Sequence, residues 1–311
     1  MFDRYDPRDE IRDDGRDRGR DRNRGSGGGG NATGIRGRDA RDAFTRDLDL
    51  PRGRARERAR DRSRVYDIDG SEARMLATVG SFRVVAERDL SALRDDARKP
   101  RQSIRHLEEE GLIRRSPLDA NDRAVVLTER GRDLLEANRS MPRDERTHEP
   151  RQVFYAGLRK PRELTHDVKV YRAYERAESR IRDRGGRVRR VVLDYEMKRD
   201  YQRFLHERNR GKKDCDGRPD READEIVRWA QERQLPYEED GHVHFPDARV
   251  EYEDRDGRSR FEDLEIVTPH YRGAHAGGAA KSGFTCYLSF GSSVGGRGGS
   301  GWSPKIMEEF L

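Results

Sequence analysis

The sequence has few cysteines and no long hydrophobic run, and each shortage excludes a class of protein. Its two cysteines, Cys215 and Cys286, lie far apart and lack any Cys/His spacing typical of metal ligands, which argues against a zinc site and a disulfide framework. No run of about eighteen apolar residues is present, and the N-terminus lacks the apolar segment of a secretory signal. We therefore expect a cytoplasmic protein that has no membrane partner.

Hydrophobic residues are also scarce, at 32% against 41% charged residues in a chain of 311. This balance argues against one core running through the whole length, so part of the chain is expected to be unfolded. Of the net charge of +6, residues 1–64 hold +5, from 19 Arg and 14 Asp or Glu. With few apolar residues to bury, residues 1–65 are predicted to form a disordered arm rich in Arg, Asp and Gly. A solubilising role is favoured over nonspecific phosphate binding, because the interleaved Asp residues cancel much of the attraction.

Order is predicted to begin near Tyr66. The stretch "SEARMLATVGSFRVVAERDL" carries apolar residues at near-helical spacing, with Ser71 as the predicted N-cap. Gly80 and Ser81 then predict a turn between two helices.

The next segments change from a helical to a strand pattern. "RKPRQSIRHLEEEGLI" predicts a helix that begins near Pro100 and ends at Gly111. "GLIRRSPLDANDRAVVLT" predicts a strand, a polar turn and a second strand, after which Thr128 caps a short amphipathic helix. Three helices, a two-stranded wing and a closing helix are the order of a winged helix-turn-helix.

Two of these stretches, "IRHLEEEGLIRR" and "LTERGRDLLE", resemble the recognition helix, wing and closing helix of winged-helix DNA-binding proteins. For residues 66–140 the resemblance implies that the third helix enters the major groove of double-stranded DNA while the wing reaches phosphates. The alternatives are a solvated charged helix face and a protein-docking module. The positions that match the groove and wing contacts are Lys99, Arg101, Gln102, Ser103, Arg105, Arg114, Arg115 and Arg123.

A polar linker near Met141 precedes a second pattern, at residues 150–290. Its order of helix, strand, helical insert, two antiparallel strands, helix and strand predicts one mixed sheet, so the fold class is α+β or α/β. On the helix "THDVKVYRAYERAESRIRDRGG", Glu178 falls on the apolar face. Glu178 either pairs with Arg182 at i+4 or has a functional role.

The stretch "HVHFPDARVEYEDRDGRSRFEDLEIVT" predicts a hairpin that turns at Asp256-Gly257. A three-residue turn places Asp247 opposite Glu265, and a two-residue turn makes them diagonal neighbours, in either case within about 8 Å. Asp263 shares the face of Glu265 because side chains alternate along a strand. Asp247, Asp263 and Glu265 therefore form a candidate Mg²⁺ site of the kind that supports phosphodiester cleavage.

The strand pair "FPDARV" and "EDLEIV" resembles the PD-(D/E)XK nuclease superfamily. Together with the winged helix and the "THDV" that opens the preceding helix, it is similar to the replication-relaxation proteins of plasmids and other mobile elements. The resemblance implies a restriction-endonuclease-like domain, with replication or conjugation proteins as partners. Val267 stands where that superfamily has its lysine, so Lys281 is the candidate substitute. The candidate catalytic residues are Asp247, Glu265, Lys281 and Glu178.

Three functions follow from these patterns. The favoured one is a DNA-binding protein that regulates or recruits mobile-element machinery and whose nuclease-like core no longer cuts. The alternatives are an active endonuclease or nickase, which alone would need Mg²⁺, and a protein-docking adaptor without DNA contact. The sequence also leaves open whether the protein forms a homodimer.

Four histidines near the hairpin are predicted to be polar surface instead of a metal site, namely His242, His244, His270 and His275. Residues 291–311 form a Gly-rich tail whose apolar residues could dock on the fold or on a partner, namely Trp302, Ile306, Met307 and Phe310.

Overall fold

A computed structural model describes residues 41–92, 100–140, 150–157, 164–213, 218–238, 241–267 and 284–288. Within these ranges the chain forms eight helices and nine strands, arranged in three separate sheets. The predicted mixture of helices and sheets is thereby confirmed. None of the helices in these ranges is both long and apolar enough to cross a membrane.

The folded chain begins earlier than the predicted boundary at residue 66. Helix α1 (Asp42–Thr45) precedes a hairpin of strands β1 (Glu57–Arg60) and β2 (Val65–Ile68), which pair antiparallel. Phe44 and Leu48, each 1% exposed, anchor this segment. The prediction of a disordered arm is therefore wrong for residues 41–65, because its few apolar residues are placed where they are buried. Residues 1–40 lie outside the described ranges.

The next seven elements form a helical layer beside a small sheet. They are α2 (Gly70–Phe82), β3 (Val85–Ala86), α3 (Glu87–Ala92), α4 (Pro100–Glu109), β4 (Ile113–Pro117), β5 (Arg123–Leu127) and α5 (Glu129–Ala137). The sheet has the order β3-β5-β4 with antiparallel neighbours. We call α1–α5 with β1–β5 the first lobe.

Two local predictions in the first lobe differ in outcome. Thr128 caps α5 as predicted, since its hydroxyl accepts a hydrogen bond from Gly131 N at 3.1 Å. Ser71 is not the N-cap of α2, because Asp69 accepts the hydrogen bonds of the first turn and forms a capping box with Glu72.

The predicted turn at Gly80 is also absent, and α2 continues to Phe82. A Cβ atom on Gly80 would lie only 3.1 Å from side-chain atoms of Leu127 and Phe154. This glycine therefore permits close contact between elements and does not break the helix.

The remaining elements, the second lobe, build one mixed sheet with helices on both faces. They are α6 (Leu164–Asp183), β6 (Arg187–Leu193), α7 (Asp194–Leu205), α8 (Ala223–Glu232), β7 (Ala248–Glu253), β8 (Ser259–Val267) and β9 (Thr285–Leu288). The strand order is β6-β7-β8-β9; the first three are antiparallel, and β9 runs parallel to β8. Helix α6 packs across β6, β7 and β8, while α7 and α8 cover part of the opposite face around Trp229.

The two lobes share a hydrophobic core. Tyr171 and Tyr174 of α6 contact Phe82 of α2, with ring centroids 5.0 and 4.9 Å apart, and Phe44 of α1 lies 5.4 Å from Phe82. One buried cluster extends from Phe44 to Tyr287. Two smaller buried clusters, around Val84 and around Trp229, lie beside it, so even the described residues do not share a single core throughout.

Candidate functional site

The hairpin of β7 and β8 fixes the relation between the two predicted carboxylates. Ala248 pairs with Leu264 and Glu253 with Ser259, so Asp247 lies opposite Glu265. Residues 255–257 form the turn, in which Gly257 has a φ of 76°. This is the three-residue turn, one of the two alternatives that the sequence left open.

Asp247 and Glu265 are brought together as predicted. Asp247 N donates to Glu265 Oε2 at 3.3 Å, and Ile266 N donates to Asp247 Oδ2 at 2.8 Å. Each carboxylate thus accepts a hydrogen bond from the backbone of the opposite strand, which holds both side chains at this end of the hairpin.

Asp263 forms a different interaction. Arg249 donates from Nε and Nη2 to its two carboxylate oxygens at 2.7 and 2.9 Å, and both side chains are almost completely buried. The trio Asp247, Asp263 and Glu265 is therefore not assembled as a metal site. Within the described ranges, no three Asp, Glu, His or Cys side chains lie close enough together to hold a metal ion.

The positive charge beside Asp247 comes from a residue that the sequence interpretation missed. His166, in the first turn of α6, places Nε2 3.3 Å from Asp247 Oδ2 and Nδ1 3.6 Å from Asp167 Oδ1. The carboxylates of Asp167 and Asp247 raise the pKa of His166 to about 10, so its ring is an imidazolium at neutral pH. In the sequence, the adjacent His166 and Asp167 of "THDV" were the feature that could have identified this residue.

The two arginines Arg249 and Arg260 of the hairpin pair with other carboxylates. Arg249 is bound to Asp263, and Arg260 donates to Asp254 at 3.2 Å. In the part of the chain that the structure describes, the imidazolium of His166 is thus a cation in contact with Asp247.

A cavity of about 250 Å³ opens beside this cluster, between the end of α2 and the first turn of α6. Arg83 and Asp194 line it together with His166. Arg83 has a φ of 65° where α2 ends, and its Nη1 lies 3.8 Å from Asp167 Oδ2. Asp194 N donates to the carbonyl of Asp247 at 3.0 Å, so the first turn of α7 fixes the backbone at Asp247.

The structure describes one of the two other predicted catalytic residues, Glu178, and this residue is not near Asp247. Glu178 forms an ion pair with Arg182 at 2.9 Å, and it lies about 18 Å along α6 from His166. Lys281 lies outside the described residues. Val267, at the position of the missing lysine, is 6% exposed.

In the described part of the hairpin region, His242 and His244 do not form a metal-ligating group with these carboxylates. The rings of His242 and His244 lie 4.9 Å apart, and His244 Nε2 is 3.0 Å from Glu238 Oε1. His270 and His275 lie outside the described ranges.

The predicted DNA contacts of the first lobe fall into four groups. Five side chains are exposed on α4 and the β4–β5 hairpin, namely Arg101, Gln102, Arg105, Arg114 and Arg123. Ser103 is only 3% exposed and faces the core, so its prediction as a groove contact is wrong. Arg115 is bound to Glu108 and lies 3.4 Å from Glu87, which leaves little of its charge for phosphate. Lys99 lies outside the described residues.

A groove of about 900 Å³ runs between α3, α4 and the β4–β5 connection. Arg88, Arg101 and Arg123 line it from these three elements. Arg88 Nε lies 3.1 Å from the buried Asp122, which ties α3 to the hairpin connection. Asp122 thus holds Arg88 in place at one side of the groove, while the guanidinium groups of Arg101 and Arg123 are exposed.

Comparison of the chain with protein-family models, with curated proteins and with solved structures finds no match.

Proposed function

We propose that the protein binds double-stranded DNA through α4 and the β4–β5 hairpin, as a winged helix. The observation that carries this proposal is the shared groove, in which Arg101 of α4 and Arg123 of the hairpin line the same surface. An exposed helix with polar and basic residues in its N-terminal half suits the major groove, and an adjacent hairpin suits the phosphates.

The charge pattern of α4 supports insertion by its N-terminal half. Arg101, Gln102 and Arg105 are exposed there, whereas the carboxylates of Glu108 and Glu109 lie towards its C-terminal end. Arg105 pairs with Glu109 at 2.7 Å, but both side chains are more than half exposed. Exposed pairs of this kind are weak, so phosphate can compete for Arg105.

For the second lobe we propose a restriction-endonuclease-like domain that no longer cleaves. The antiparallel strands β6, β7 and β8, with β9 parallel to β8 and α6 in front, support that fold. The residues do not fit the Mg²⁺ that such a nuclease needs: Asp263 is bound to Arg249, and His166 places a cation at Asp247. Its role would be to regulate or recruit mobile-element machinery, as the family resemblance implies.

A mobility-shift experiment tests this function. The full chain is mixed with supercoiled plasmid, with and without Mg²⁺, at about 50 mM and about 200 mM salt. We expect a salt-sensitive shift and no nicking. Nicking that is lost in Asp247→Asn would make the protein a nuclease instead, and the absence of any shift at low salt would leave the adaptor as the surviving alternative.

A further inference from the structure

A separate pocket, of about 570 Å³, is lined largely by residues of β6, β7 and β8. It shares no lining residue with the cavity beside His166. Its lining includes six arginines and three glutamates, with Tyr252 and Phe261 as its aromatic residues. A volume of this size suits a small organic ligand, and the excess of arginine favours an anionic one.

The pocket has a rigid aromatic platform. Phe261 is 36% exposed, and the guanidinium of Arg249 lies 4.0 Å from the centre of its ring. Besides its two hydrogen bonds to Asp263, Arg249 donates to the carbonyls of Arg233 and Gln234 at 2.6 and 2.9 Å. A buried cation that is fixed by four hydrogen bonds thus supports one side of an exposed ring, a surface on which a flat aromatic group can stack.

Donors for an anion line the same pocket. Arg46 binds Asp47 through Nε and Nη2, while its buried Nη1 has no acceptor among the residues that the structure describes. Arg260 is 53% exposed, and the ion pair that it forms within the described ranges is with Asp254 at 3.2 Å. Weak exposed pairs of this kind can exchange their carboxylate for a phosphate, to which the guanidinium fork is well matched.

We propose that this pocket binds a nucleotide, with the base stacked on Phe261 and the phosphate bound by Arg46 and Arg260. The nucleotide is either free or the phosphorylated end of a DNA strand, since both present the same base and phosphate. The proposal does not depend on DNA binding by the first lobe.

Calorimetric titration of the full chain tests the proposal with three probes: dAMP, deoxyadenosine and inorganic phosphate. We expect dAMP to bind at least about tenfold more tightly than deoxyadenosine or phosphate, because only dAMP can both stack on Phe261 and bind Arg46 and Arg260. Phe261→Ala should weaken dAMP binding about tenfold or more through loss of stacking. Arg46→Gln should bring the affinity for dAMP close to that for deoxyadenosine.

Tyr237→Ala is the matched control, because Tyr237 is an aromatic residue of similar exposure, 38%, outside this pocket. It should leave dAMP binding unchanged. A 5′-phosphorylated oligonucleotide that displaces dAMP from the wild type identifies a strand end as the ligand, and failure to displace it identifies the free nucleotide. The proposal is overturned if dAMP shows no saturable binding, if deoxyadenosine binds equally well, or if Phe261→Ala, shown to be folded, keeps the wild-type affinity.

Discussion

His166 Nε2 lies 3.3 Å from Asp247 Oδ2, so the first turn of α6 supplies the positive charge beside the carboxylates of the hairpin. Two carboxylates on neighbouring strands repel each other unless a cation lies near them. In a metal-dependent nuclease that cation is the metal ion, whereas here it is an imidazolium from the chain itself. This relationship underlies the proposal that the second lobe binds without cutting.

Replacing His166 with Ala should lower the free energy of unfolding by about 1 to 3 kcal/mol, because Asp247 loses its charged partner in a partly buried position. Urea denaturation measures this change. His244→Ala, which removes an exposed pair with Glu238, is the control and should have a much smaller effect.

The same His166 variant should also respond to divalent ions. His166→Ala removes the imidazolium beside Asp247, so added Mg²⁺ should stabilise this variant more than it stabilises the wild type. Thermal unfolding with and without Mg²⁺ measures the difference. Equal shifts in both proteins would argue against the view that His166 replaces a metal ion.

The stability of the fold should depend on pH through Glu175 on α6. Burial raises the pKa of its carboxyl to about 7 from an ordinary value of 4.5, so the folded state holds a proton that the unfolded state releases. The free energy of unfolding should therefore fall by up to about 3 kcal/mol as pH rises from 4.5 to 7. Glu175→Gln should remove that part of the slope, and an unchanged difference between pH 5 and pH 8 would contradict the assignment.

The buried pair of Arg249 and Asp263 should be sensitive to loss of one partner. Arg249→Met should destabilise the fold by about 3 to 5 kcal/mol, because it leaves the Asp263 carboxylate buried without its cation. Arg260→Met, which removes an exposed arginine of the same pocket, is the control. Chemical denaturation of both variants should separate them clearly, and similar values would mean that solvent reaches Asp263.

The sequence predicted those parts of the fold and site that depend on local pattern. The pairing of Asp247 with Glu265 follows from strand alternation and from the turn at Gly257, and the cap at Thr128 follows from its position before an amphipathic segment. His166 was missed because its partner lies 81 residues further along the chain, and no periodicity connects a helix start with a distant strand.

Other differences have equally physical causes. Asp69 outcompetes Ser71 as the cap because Glu72 then completes the capping box. Phe44 was assigned to the arm because composition was averaged over a polar segment, yet Phe44 and Leu48 are both buried and anchor this segment to the core. Ser103 was named as a groove contact by motif position alone, and burial on the inner side of α4 overrides that assignment.

The most direct test of DNA binding is fluorescence anisotropy of a labelled duplex titrated with the wild type, Arg101→Ala, Arg105→Ala and the control Arg228→Ala. Arg228 is an exposed arginine on α8, so its loss matches the change in charge without affecting α4. If Arg101 or Arg105 contacts a base, its replacement should weaken binding by about 1 to 3 kcal/mol. If it contacts phosphate, its replacement should weaken binding about equally for every duplex sequence. Arg228→Ala should bind as the wild type does. Equal affinities for all four proteins would contradict the assignment of α4 as the DNA-binding helix.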